Sequence, residues 1–113
     1  MQIKEKIIGK VAVLKFKGSL MGEPGTTKIR EKIHSLVNDD LQKVVIDMSG
    51  VKWINSAGLG SLIAGLTTLR NVGGDLRLAN VVEKVESLFM ITQLVKVFKS
   101  YDSVDRAVAS FKK

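Results

Sequence analysis

Val44-Val45-Ile46 is an unbroken run of three β-branched apolar residues set between Lys43 and Asp47. A strand with one wet face alternates apolar and polar side chains. A continuous run has no wet face and needs cover on both sides. The run therefore reads as the central strand of a sheet with helices packed against it. The rest of the chain must supply flanking strands and covering helices.

It does so in alternation. Ile3–Ile8 and Val11–Lys17 are rich in β-branched residues, and Gly9-Lys10 between them is a two-residue hairpin signal. Lysines on such strands discourage edge-to-edge pairing. Gly18 to Gly25 holds three glycines and the single proline, and reads as a loop. From Thr26 a helical period begins, with Ile29, Ile33, Leu36 and Val37 on one stripe and His34 facing solvent. After the central strand comes a loop, Ser49–Asn55, then a helix from about Ser56 to Val72 stopped by Gly73-Gly74. Leu76–Ala79 is a strand, Val82 to about Thr92 a helix, Val95–Phe98 a last strand, and Ser103–Phe111 a last helix capped by Ser103. The order β-β-α-β-α-β-α-β-α predicts an α/β fold, a mixed and mostly parallel sheet opened by a hairpin, in one domain spanning residues 1–113.

Composition removes whole classes of chemistry. There is no Cys among the 113 residues, hence no disulfide, thiolate nucleophile or Cys-based metal site. A lone His leaves no two-His metal motif. No cofactor or metal is expected. No apolar run is long enough to span a bilayer, so a cytoplasmic protein without membrane insertion is expected.

The loop and helix after the central strand are unusual. In open α/β sheets, ligands and partners bind beyond the carboxyl ends of the strands. Here that place is occupied by Asn55-Ser56-Ala57-Gly58-Leu59-Gly60. Ser56 caps the helix or sits in its first turn, where unpaired N–H groups and the helix dipole favour an anion. Leu59, Leu62, Ile63, Leu66 and Leu69 form an apolar stripe, while Gly58, Ser61, Gly65 and Thr68 line another side with small residues. Glycines at 58, 60 and 65 each weaken a helix by ~1 kcal/mol relative to Ala. Small residues let another backbone come close, whether from the same molecule or from a partner, and both readings stand open. A Walker A loop is excluded, because Gly58-Leu59-Gly60-Ser61 has no lysine at its end. Ser56 has no histidine near it in sequence, which argues against nucleophilic catalysis and against an enzyme. Asp47, at a strand end, reads as a loop hydrogen-bonding residue. Trp53 reads as a lid on the core or as an interface anchor, with the lid slightly preferred.

Ile46-Asp47-Met48-Ser49, followed by Val51 and by Ile54-Asn55-Ser56-Ala57-Gly58-Leu59-Gly60, resembles the STAS domain, specifically the bacterial anti-sigma factor antagonists. The resemblance extends along the chain through Gly18-Ser19-Leu20, Gly73-Gly74 and the closing helix. It implies that Ser56 is phosphorylated by a partner, an anti-sigma factor with serine kinase activity. It also implies that the unphosphorylated form binds this partner and so releases a sigma factor. Met21, Trp53, Asn55, Ser56, Ala57, Gly58, Gly60, Ser61 and Gly65 would form the partner-binding surface. A scaffold or transporter-associated STAS subunit without a phosphoswitch is the alternative. Two positions depart from the family pattern: Asn55 stands where an Asp commonly precedes the serine, and Met21 where an acid often follows Gly-x-Leu. The protein is expected to be a monomer or weak dimer.

The net charge of +7 raises nucleic acid as a competing ligand. Five lysines and one glutamate fall within residues 1–17, the other charges are dispersed, and aromatic residues make up only 5% of the chain, too few for base stacking. No nucleic-acid partner is expected.

Overall fold

The computed structural model describes residues 1–93 and 96–112. Five strands and four helices follow in the order β1 (Gln2–Ile8), β2 (Val11–Lys17), α1 (Gly25–Asn38), β3 (Lys43–Gly50), α2 (Ser56–Asn71), β4 (Asp75–Ala79), α3 (Glu83–Ile91), β5 (Ser100–Tyr101) and α4 (Val104–Ala109). The sheet order is β1-β2-β3-β4-β5, with β1 antiparallel to β2 and the remaining pairs parallel. The expected α/β class, element order and mixed sheet are those observed. Gly9 opens the hairpin turn with φ of +61°, a backbone conformation that suits glycine.

β3 is central, and Val44, Val45 and Ile46 are fully buried. One face carries Ala12, Leu14, Phe16, Val44, Ile46, Met48, Leu76 and Leu78, packed against Ile29, Ile33 and Leu36 of α1, Leu62, Leu66 and Leu69 of α2, and Val85 and Phe89 of α3. The other face sets Val11, Val13, Val45 and Ala79 against Ala107 and Val108 of α4. Alternation along β3 thus sends Val44 and Ile46 to one layer and Val45 to the other, which is why the run could not alternate in polarity.

Three expectations need correction. Val95 lies outside the described residues, and Lys96–Phe98 form a turn where a strand was expected. The Phe98 ring is buried beside Phe89, with centroids 6.0 Å apart, so the run's apolar character serves core packing. Pairing with β4 begins one residue later, where the Leu78 N–H donates to the Lys99 carbonyl at 2.9 Å. Second, the last helix spans Val104–Ala109, shorter than expected, with Ser103 as its cap: the hydroxyl accepts from the Arg106 N–H at 3.1 Å. Third, edge protection accounts for the lysines of β1 but not for Lys15 and Lys17, because β2 is paired on both sides.

Candidate functional site

The loops leaving β2 and β3 meet at the start of α2. The Leu20 N–H donates to the Trp53 carbonyl at 3.0 Å, and the Asn55 N–H to the Leu20 carbonyl at 3.3 Å. Leu20 and Ile54 form an isolated parallel bridge. Asn55, not Ser56, is the N-cap of α2. Its side-chain oxygen accepts from the Gly58 N–H at 2.9 Å, and its amide donates to the Met21 carbonyl at 3.1 Å. Ser56 is therefore the first helical residue, solvent-exposed, in a first turn that carries no acidic side chain. Helix N–H groups not yet paired within the helix lie around it, together with the positive end of the helix dipole.

The small residues of α2 have separate tasks. A Cβ on Gly58 would collide with the Leu20 carbonyl oxygen and lie 2.8 Å from Ile54 Cγ1. Gly58 is buried, so the backbone it admits belongs to the same molecule, and it is removed from the expected docking surface. Gly65 is also buried, and an added Cβ would lie 2.5 Å from Ile33 Cδ1. It forms the floor of a groove of about 250 Å³ between α1 and α2, walled by Ala57, Ser61, Arg30 and His34. Gly60 faces open space. Ser61 is half-buried, and its hydroxyl donates to the Gly58 carbonyl at 2.7 Å.

Trp53 is not a lid. It is 60% exposed, with its backbone held by Leu20 and its ring facing the Lys84 ammonium 5.3 Å from the centroid. Lys84 was not singled out in the sequence, and only its lysine identity on a helix near the loop could have suggested it. Met21 is 52% exposed on the neighbouring loop. Met21, Trp53, Ser56, Ala57 and Gly60 are thus surface residues around one helix start, with Asn55 and Ser61 half-buried among them.

The nearest acid in the β2–α1 loop, Glu23, is committed elsewhere. The Thr26 hydroxyl, the Thr27 hydroxyl and the Thr27 N–H (2.7 Å) all donate to its carboxylate, with a smaller pull from Arg30, and its pKa falls from 4.5 to about 2. Glu23, one residue before the Pro24 N-cap, thereby satisfies the Thr27 N–H in the first turn of α1. Asp47 accepts from the Ser49 N–H at 3.0 Å and from the Asn80 amide at 3.2 Å, the loop role read from the sequence.

A family model described as the STAS domain matches residues 2–107. A Thermotoga neapolitana protein, provisionally named as an anti-sigma factor antagonist homologue, is 32% identical over 72 residues, 64% of each chain. The match thus spans less than two thirds of the length of that relative. The solved structure of a protein of Thermotoga maritima, provisionally named an anti-sigma factor antagonist, superposes with a TM-score of 0.87 at 23% identity, covering 98% of this chain and 95% of that one. The Bacillus cell fate determinant SpoIIAA in its phosphorylated form gives 0.76 at 16% identity, covering 97% and 99%. A sulfate transporter family protein of Wolinella succinogenes gives 0.82 at 14%, covering 95% and 88%.

Proposed function

The chain belongs to the STAS domain family, and from that membership we propose that it is an anti-sigma factor antagonist switched at Ser56. Unphosphorylated, it docks an anti-sigma factor with serine kinase activity through Met21, Trp53, Ala57 and Gly60 around Ser56, and so releases a sigma factor. Phosphorylation of Ser56 ends the docking. It acts as a regulatory binding module and not as an enzyme.

One observation carries this reading: Ser56 is exposed as the first residue of a helix whose cap is supplied by its neighbour, Asn55. Its hydroxyl is not needed to hold the helix, so modification does not dismantle the fold. A phosphate there adds a charge of about −1.5 to −2. The helix dipole and free N–H groups accept that charge on their own molecule. A partner seated on the same surface meets both its bulk and its charge. The phosphorylated form of a structural relative supports the reading.

The test is calorimetric titration of the anti-sigma factor encoded nearest to this protein's gene. Ser56→Ala is expected to bind like the unmodified protein and Ser56→Asp to lose binding. Equal affinities for both variants refute the switch and leave a scaffold or transporter-associated subunit as the reading.

A further inference from the structure

The lysines of the N-terminal hairpin gather on one sheet face. In the β1–β2 register, Gln2, Lys4 and Lys6 stand opposite Lys17, Lys15 and Val13, so Lys4, Lys6, Lys15 and Lys17 share the face on which α4 lies. α4 packs on β3, β4 and β5 and leaves the outer part of this face exposed. Lys4 is directly across from Lys15, and like charges in that position destabilise an antiparallel pair.

Among the described residues, no ion pair involves these four lysines. Glu5 lies on the opposite face, bound to Lys32 at 2.9 Å. Asp47 neighbours Lys15 in the β2–β3 register, where its Oδ1 also accepts from the Ser49 N–H and the Asn80 amide, and one carboxylate leaves the four lysines in excess. Lys15 and Lys17 do not guard an edge, since β3 pairs beyond them.

The face is concave where the lysines converge. Lys4, Lys15, Lys17, Ser49 and Gly50 line a cavity of about 270 Å³. Gly50 at its rim marks a close approach of β3 to β2, since a Cβ there would lie 2.6 Å from the Phe16 carbonyl oxygen. The register of β2 on β3 shifts between Lys15 and Lys17 at this place. A duplex backbone needs an extended track of cations and a bilayer a flat one. A small hollow lined by three lysines calls instead for several negative charges in a small volume.

We infer that this cavity is a binding site for a compact oligophosphate, two or three linked phosphate groups, at the end of the sheet that leads to the Ser56 loop. The site is independent of the Ser56 switch.

The experiment titrates the full chain with sodium tripolyphosphate at about 0.15 M salt, where screening removes loose surface attraction. One saturable site is expected. Lys4→Gln, Lys15→Gln and Lys17→Gln should each weaken binding about five-fold or more. Lys99→Gln removes the same charge in the separate cavity beside α4 and should leave affinity within about two-fold. Lys15→Gln should also raise the melting temperature of the free protein while abolishing the rise that tripolyphosphate gives the wild type. Equal binding of ATP identifies the phosphate chain as the recognised group. Tighter binding to phosphoinositide-containing vesicles than to the soluble headgroup identifies a lipid source of the same chemistry. The inference is overturned by non-saturable binding, by an equal effect of Lys99→Gln, or by tighter binding to a short DNA duplex.

Discussion

Gly58→Ala tests whether the meeting of the two loops depends on the missing side chain. An added Cβ collides with the Leu20 carbonyl oxygen and lies 2.8 Å from Ile54 Cγ1 and 2.9 Å from Leu20 Cγ. The obstruction includes backbone, so no rotamer change relieves it. Overpacking of this kind costs ~3 kcal/mol at its upper end. Moving Leu20 away also strains the bonds from the Asn55 N–H to Leu20 and from the Asn55 amide to Met21, at ~1 kcal/mol together when weakened but not lost. Ala stabilises a helix by ~1 kcal/mol relative to Gly, which offsets part of this. The net expectation is a loss of about 3 kcal/mol. At ~3–6 °C per kcal/mol for a chain of this size, the melting temperature should fall by roughly 9–18 °C. Two companion variants calibrate the result in thermal and urea denaturation followed by circular dichroism. Gly60→Ala, which meets nothing within 4 Å, should stabilise by ~0.5–1 kcal/mol. Gly65→Ala meets the tip of the flexible Ile33 side chain and should fall between the two. If Gly58→Ala proves as stable as Gly60→Ala, the close approach of Leu20 is not what requires glycine at position 58.

The remaining expectations concern Trp53 and Glu23. Trp53→Ala should change stability by no more than ~0.5 kcal/mol in urea denaturation, because the ring is exposed; under the proposed function the same variant should weaken docking to the anti-sigma factor, as an interface aromatic does. Glu23 binds its proton less readily in the folded protein, with a pKa of about 2 against 4.5, so its stabilising effect is complete above about pH 4.5 and is lost as pH falls through 2. Glu23→Gln should therefore melt below the wild type at pH 7, and the gap should close between pH 4.5 and pH 2. A gap that persists at pH 2 would mean that the charge is not what holds the start of α1.

The parts of the fold that rest on a period were legible from residues alone. Val44-Val45-Ile46 announced a covered strand, and Gly9 marked the hairpin. Ile29, Ile33 and Leu36 gave the buried stripe of α1. What depends on a meeting of distant segments was not legible. Gly58 and Gly60 look alike in sequence, yet only one sits under a carbonyl from a loop 38 residues earlier. Asn55 and Ser56 are both good caps, and the choice fell on Asn55 because its amide also reaches Met21, a bond invisible in local sequence. For Trp53 the sequence leaves a lid slightly ahead of an interface anchor, because burial is the usual fate of a large aromatic side chain. Its backbone is spent on Leu20, and that geometry leaves the ring outside. The turn at Lys96–Phe98 failed for a related reason: a β-branched run signals burial, and Phe98 satisfies that by stacking on Phe89 without entering the sheet.

The bond between the Asn55 N–H and the Leu20 carbonyl, with Gly58 beneath it, joins two stretches of chain that can only loosen together. Leu20 supplies that oxygen from its backbone while its side chain is buried in the core, and a Cβ at position 58 would meet both. The start of α2 is thereby tied to the end of the β2 loop. A message written on Ser56 would thus be read from an unmoving page, as a change of electrical and steric texture with no change of shape. The amides of Leu20, Asn55 and Gly58 should then exchange with solvent as one unit, modified or not.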